Sequence, residues 1–238
     1  MLKYEIKYKP SYSMLEVELE PGECITAEAG SLTYMDPTIE IGTRMRRGEE
    51  GGVGGFLKTL GVSVLGQQSF FVNDLYTESG GRVGLVSAPI GDIQRLEVQP
   101  GQSYIVQKSS YIASTQDVQL DIQWQGFTKG IFGQGLFMIR VSGEGDLFIN
   151  TFGAIDTHIL QPGQKLIVDN FHLVAFSDSC QYEVKRIGGW KETILSGEGL
   201  VVEVTGPGVV YIQTKNLREF AEWLWTVIEP KVRQTRAR

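Results

Sequence analysis

A chain of 238 residues, 42% hydrophobic and 21% charged, can bury a core without disulfide staples. Acidic side chains exceed basic ones by 28 to 22, so the molecule as a whole repels phosphate backbones, and neither RNA nor DNA is an expected partner. The two cysteines, Cys24 and Cys180, allow neither a CxxC redox pair nor a four-thiolate zinc site, and they read as reduced residues of a cytoplasmic protein.

The opening residues, MLKYEIKYKPSY, alternate polar and apolar and include Glu5, which suits neither a secretory signal nor an acid-free transit peptide. The start therefore reads as mature protein. Next comes the first of three related turns: Glu20-Pro21-Gly22-Glu23, then Gln99-Pro100-Gly101-Gln102 and Gln161-Pro162-Gly163-Gln164. Proline fixes φ at the first central position and glycine accepts the positive φ of the second, so each marks a tight reversal between strands. With the prolines in register, the fourth residue on is Ile25, Tyr104 and Leu166, and the eleventh is Leu32, Tyr111 and Leu173.

The most apolar stretch, Gly51 to Gly66, contains Phe56 and Leu57. It is interrupted by Lys58 and is shorter than the roughly 20 apolar residues of a spanning helix, so no transmembrane segment is expected. Phe56 and Leu57 read instead as interface residues. A second signature, a glycine turn leading into a strand, is read at Gly66 to Asn73, Gly143 to Asn150 and Gly206 to Gln213. From proline to turn glycine the separations are 45, 43 and 44 residues, which predicts three β repeats at 20–74, 99–150 and 161–213. The extra residues between Tyr76 and Pro89 are expected to form a longer hairpin or loop.

Helical periodicity is expected only over 214–230. There Asn216 can cap, Glu219 follows three residues later, and Leu217, Phe220, Leu224, Val227 and Ile228 share a face. Pro230 is expected to end this helix, 231–238 to form a basic tail, and the helix to cap an open sheet end. Trp223 and Trp225 project at nearly opposite angles, so if Trp223 completes the packed stripe Trp225 points outward, and both are candidate interface residues.

Met14-Leu-Glu-Val-Glu-Leu-Glu-Pro-Gly-Glu23 with Ala27-Glu-Ala-Gly30, Gly133-Gln-Gly-Leu136 through Ile149, and Gly197-Glu-Gly-Leu200 through Gln213 together resemble the altered-inheritance-of-mitochondria family, over almost the whole chain. That resemblance implies a fold like the tryptophan RNA-binding attenuation protein: mainly β, with stacked antiparallel sheets, three degenerate repeats in pseudo-threefold organisation, a relation to the double-stranded β-helix, and a C-terminal helix. The family brings no catalytic residues to carry over.

Sites of chemistry are scarce. The two histidines, His158 and His172, cannot supply a cupin-type His-x-His pair with a third ligand, and His172 aligns with Ser31 and Ser110 as a turn or surface residue. No Gly-x-Ser-x-Gly elbow occurs, the Gly133 and Gly143 turns lack the Lys and Ser/Thr of a phosphate loop, and Arg44, Arg46 and Arg47 lack interleaved aromatics. No catalytic, cofactor or metal residue is assigned. The expected function is a non-catalytic, self-associating β-scaffold or protein-interaction module, a homo-oligomer with an unidentified protein partner. The alternatives are a small-molecule or lipid-binding protein, favoured by a deep apolar pocket, and a hydrolase or metal-dependent enzyme, favoured by a histidine meeting carboxylates in a cleft.

Overall fold

The computed structural model describes residues 2–46, 70–87, 90–121, 137–186 and 200–236. After β1 (Lys3–Lys7) the chain runs through successive sets of six strands. The first set is β2 (Met14–Leu19), β3 (Cys24–Glu28), β4 (Leu32–Met35), β5 (Glu40–Arg46), β6 (Phe70–Tyr76) and β7 (Gly81–Leu85). The second is β8 (Ile93–Val98), β9 (Tyr104–Gln107), β10 (Tyr111–Thr115), β11 (Val118–Asp121), β12 (Met138–Gly143) and β13 (Gly145–Asn150). The third is β14 (Ile155–Leu160), β15 (Lys165–Asp169), β16 (Leu173–Ser177), β17 (Gln181–Arg186), β18 (Leu200–Thr205) and β19 (Gly208–Gln213), followed by α1 (Leu217–Arg236).

Every set pairs in the same antiparallel pattern. Its first and third strands flank the sixth, and its second and fourth flank the fifth, as in β2·β7·β4 and β3·β6·β5. The same holds for β8·β13·β10 with β9·β12·β11, and for β14·β19·β16 with β15·β18·β17. Between sets, the second strand of one pairs with the third of the next: β3 with β10, and β9 with β16. Among the described residues this gives a first sheet β1-β2-β7-β4, a second β5-β6-β3-β10-β13-β8, a third β11-β12-β9-β16-β19-β14 and a fourth β15-β18-β17, the second and third each six-stranded and shared by consecutive sets.

Local chemistry explains the strand ends. The three Pro-Gly turns all join the first strand of a set to its second, with Gly22, Gly101 and Gly163 at φ of +84°, +80° and +78°. The fourth residue's N–H donates to the carbonyl of the first at 2.9–3.0 Å in each turn, and the side chains of Glu23 and Gln164 reach back to the N–H of Glu20 and Gln161. The structure relocates the second signature in the first set. The strand Phe70–Tyr76 pairs as a fifth strand, like β12 and β18, and the hairpin matching Gly143–Gly145 and Gly206–Gly208 lies at Ser79–Gly80 before β7. The near-equal spacing of 45 residues was thus a coincidence of two similar apolar strands, and the sets span 14–85, 93–150 and 155–213 rather than 20–74, 99–150 and 161–213.

Burial follows from the stacking. In β2, Leu15, Val17 and Leu19 are buried while Glu16 and Glu18 are not, the period-2 pattern of a sheet wet on one side. β10, β13 and β16 are buried at almost every position because their sheets are covered on both faces. One core lies between the first and second sheets, around Leu15, Val83, Ile25 and Phe148, and another between the second and third, around Leu147, Tyr111 and Val141. The last fills the space between the third and fourth sheets, around Phe176, Val202 and Val204.

The helix departs from expectation at its end. It continues through Pro230 to Arg236. Nor does it cover a sheet edge, since side chains from Leu217 to Ile228 are exposed on all sides.

Candidate functional site: the aromatic helix and the junction at its root

The helix is anchored at its first turn. Buried Asn216 caps it, its Oδ1 accepting from the Glu219 N–H at 2.8 Å, the local bond that the Asn-x-x-Glu spacing predicts. Its amide nitrogen lies 3.0 Å from His172 Nε2, and His172 Nδ1 lies 2.6 Å from the Gln213 carbonyl oxygen. A carbonyl can only accept, so Nδ1 carries the proton and Nε2 accepts from Asn216. Gln213 in turn donates to the Phe171 carbonyl at 2.7 Å and accepts from the Phe152 N–H at 2.9 Å. His172 closes the turn before β16, as its alignment with Ser31 and Ser110 implied, but it is half-buried there and joins the last strand set to the helix cap. His158 sits apart on β14 beside Asp156 at 3.2 Å.

Two aromatic contacts complete the root. Phe220 meets Phe152 edge-on at 5.2 Å, and the Arg218 guanidinium lies 5.3 Å above the Phe171 ring. Beyond it the helix stands clear: Trp223 is 61% exposed and Trp225 54%. At 100° per residue these two rings border one broad apolar arc that includes Leu217, Phe220, Leu224, Val227 and Ile228. Trp223 does not complete a packed core stripe, so the outward position of Trp225 does not depend on it. The Trp223 ring touches Phe220, at 5.8 Å, and no body of protein lies behind it among the described residues. Phe56 and Leu57 lie outside the described residues.

A second polar junction gathers where the sets connect. Asp92, buried, accepts from Ser13 Oγ and from the Ile93 N–H, both at 2.8 Å, with Lys9 Nζ at 3.3 Å. The Thr151 N–H donates to the Asp92 carbonyl, and Gly91 and Gly153 bridge in parallel. One carboxylate oxygen thus receives all three side-chain and backbone donors, an arrangement that ties these connections together.

On the outer faces of the end sheets, charges alternate in sign. Lys3 and Lys7 meet Glu20 and Glu16 at 2.5 and 2.7 Å, Tyr34 donates to Glu16, and Lys165 and Lys185 meet Glu203 at 2.6 and 2.9 Å. Hydrogen bonds from Lys165 and Lys185 hold the Glu203 carboxyl below the usual carboxylate range. Such paired surfaces present no phosphate-binding stripe. Burial acts the other way on Glu28, at the end of β3, raising its carboxyl to about 7 against a smaller opposing pull from Lys108, and it raises the Tyr211 hydroxyl to about 12.

The family profile described as Mitochondrial biogenesis AIM24 matches residues 4–215. The chain belongs to the AIM24 family. Its similarity extends to an uncharacterized protein of Streptococcus pyogenes serotype M6, 28% identical over 222 residues that cover 92% of this chain and 88% of that protein. The crystal structure of a Streptococcus pyogenes protein superposes with a TM-score of 0.76 at 25% identity, covering 95% of this chain and all of the other. The matched AIM24 residues stop at 215, at the root of the helix.

The junction at His172 was hidden from sequence reasoning, although a signal existed. Asn150 and Gln213 both end the sixth strand of a set, and both donate their amide to the carbonyl two residues before the third strand, at Ser109 and Phe171. An amide recurring at the end of the repeat marks that bond.

Proposed function

We propose that this AIM24 protein is a non-catalytic β-scaffold that associates with itself and presents its C-terminal helix to a protein partner. The observation that carries the reading is the helix: 20 residues, roughly 30 Å long, fixed at one turn, with an apolar arc bordered by Trp223 and Trp225 and left bare. Tryptophan-rich apolar arcs of this kind supply the buried centre of protein interfaces. The absence of a catalytic role belongs to the same proposal; in its support, His158 and His172 stand on opposite sides of β19, His172 is held in the helix cap, and Asp92 ties connections together. Cytoplasmic residence is likewise proposed, supported by two cysteines that are not joined as a disulfide and by the absence, among the described residues, of a helix long and apolar enough to cross a membrane.

A photo-cross-linking residue placed at Trp225 in the native host, with exposed Tyr12 as control, tests the partner, and light scattering of the purified chain at micromolar concentration tests self-association. A discrete heavier adduct from position 225 alone, with a mass above that of the monomer, is expected. Loss of either result removes the corresponding half of the proposal. A second reading, lipid binding, draws on Lys231, Arg233 and Arg236 following the tryptophans, the composition of an interfacial helix. Flotation with anionic but not neutral vesicles, abolished by Trp223→Glu, would favour it.

A further inference from the structure

The pairing scheme leaves one seam unmade. The second strand of the first set is joined to the third strand of the second set, and the second strand of the second set to the third strand of the third set. By the same rule the second strand of the third set, β15, would join the third strand of the first, β4. Yet β4 ends one small sheet and β15 ends the other, with no strand beyond either among the described residues. Joined along these edges, the two small sheets would give β17-β18-β15-β4-β7-β2, the strand order of the two complete sheets, with β1 added outside.

Burial marks these edges as unfinished. In β10 and β16 the residues from the first to the fourth are fully buried, whereas Tyr34 and Met35 of β4 are exposed, Met35 by 38%. In β3 and β9 the central residues are buried, whereas Ile167 of β15 is 59% exposed. The register of the missing seam can be read from the made ones. A bulge falls at the same place in all three third strands, after Leu32, Tyr111 and Leu173, which sets Tyr34 equivalent to Ala113 and Ala175. The made seams pair Ala113 with Ala27 and Ser114 with Thr26, and Ala175 with Val106 and Phe176 with Ile105. Transferred to the open edges, Tyr34 faces Val168 and Met35 faces Ile167. The two exposed apolar side chains become direct cross-strand partners, in the position that Phe176 and Ile105 hold.

The geometry points to a second copy of this chain as the occupant: β4 of one molecule pairs antiparallel with β15 of the next. This deepens, and rests on, the self-association proposed above. The two edges are halves of a seam that the chain builds twice within itself, so a copy supplies each edge with a partner whose backbone register and side chains already match. Because the two halves differ, the contact is head-to-tail and propagates until rotation closes a ring.

Single-cysteine variants test it, in a background with Cys24→Ser and Cys180→Ala. Met35→Cys and Ile167→Cys are purified separately, mixed and oxidised. A covalent dimer in the mixture, absent from either variant alone, is expected. No dimer in the mixture overturns the proposal, as do dimers from either variant alone or a double variant that closes only within its own chain. Both residues are exposed, so Met35→Arg and Ile167→Arg should leave a folded chain while lowering its mass by light scattering to that of the monomer; an unchanged oligomer mass in both overturns the seam. An oligomer that yields no mixed disulfide sinks this seam and leaves self-association standing, whereas a wild-type monomer mass removes both.

Discussion

Replacing Glu28 by glutamine should make the protein more stable at pH 8 and change little at pH 4. Glu28 closes β3, beside the seam to β10, and burial raises its carboxyl from 4.5 to about 7. The sign follows from proton counting. Between about 4.5 and 7 the folded state holds a proton that the unfolded chain has released, so this group's contribution to stability declines as pH rises through that window. Above 7 both states are ionised and the folded one bears the full desolvation cost. A difference of about 2.5 pH units corresponds to a ceiling of about 3 kcal/mol, and roughly 2 kcal/mol is expected because the side chain retains some solvent contact. Glutamine keeps the shape without the charge. Urea unfolding of wild type and Glu28→Gln at pH 4, 6 and 8 should therefore show a stability gap opening progressively with pH. A gap that is constant across these values, or a glutamine variant less stable at pH 8, would refute the assignment of the cost to buried charge.

Two further outcomes are expected. Asn216→Ala removes the helix cap and should cost about 1 kcal/mol, seen as faster amide exchange over 217–222 while the strand amides stay protected; Asn216→Asp should keep the cap bond. Gly91→Ala drives a Cβ into the Thr151 carbonyl oxygen where two connections cross, and a loss of about 3 kcal/mol in urea unfolding is expected, against less than 0.5 for Gly42→Ala, where the space is open.

The turns were the most legible part of the fold, because proline and glycine act within four residues of themselves. Each Pro-Gly pair stands between the first and second strands of its set, as its spacing implied. Strand identity was less legible. Phe70–Tyr76 and Leu147–Asn150 are both short apolar runs after glycines, and what separates a fifth strand from a sixth is which neighbour it pairs with, information carried by contacts far away in sequence. The helix's existence could be read from its cap and period. Its bareness could not, since a broad apolar arc has the same sequence whether a core or a future partner lies against it. Glu28 was invisible for the same reason: nothing in Ala27-Glu28-Ala29 distinguishes a wet glutamate from a largely desolvated one.

The sharing of sheets between sets bears on how the chain is made. As the protein leaves the ribosome, β3, β5 and β6 emerge before residue 77, but the outer edge of β3 waits for β10, which begins at residue 111. The edge of β9 waits in turn for β16, at residue 173. Each of the first two sets is finished by the one synthesised after it, so nascent chains carry a raw strand edge that moves along the sequence as elongation proceeds, a natural point for chaperones to engage. Stalling between residues 77 and 110 should leave the most aggregation-prone fragment, with the second sheet half built and nothing yet translated that can complete it.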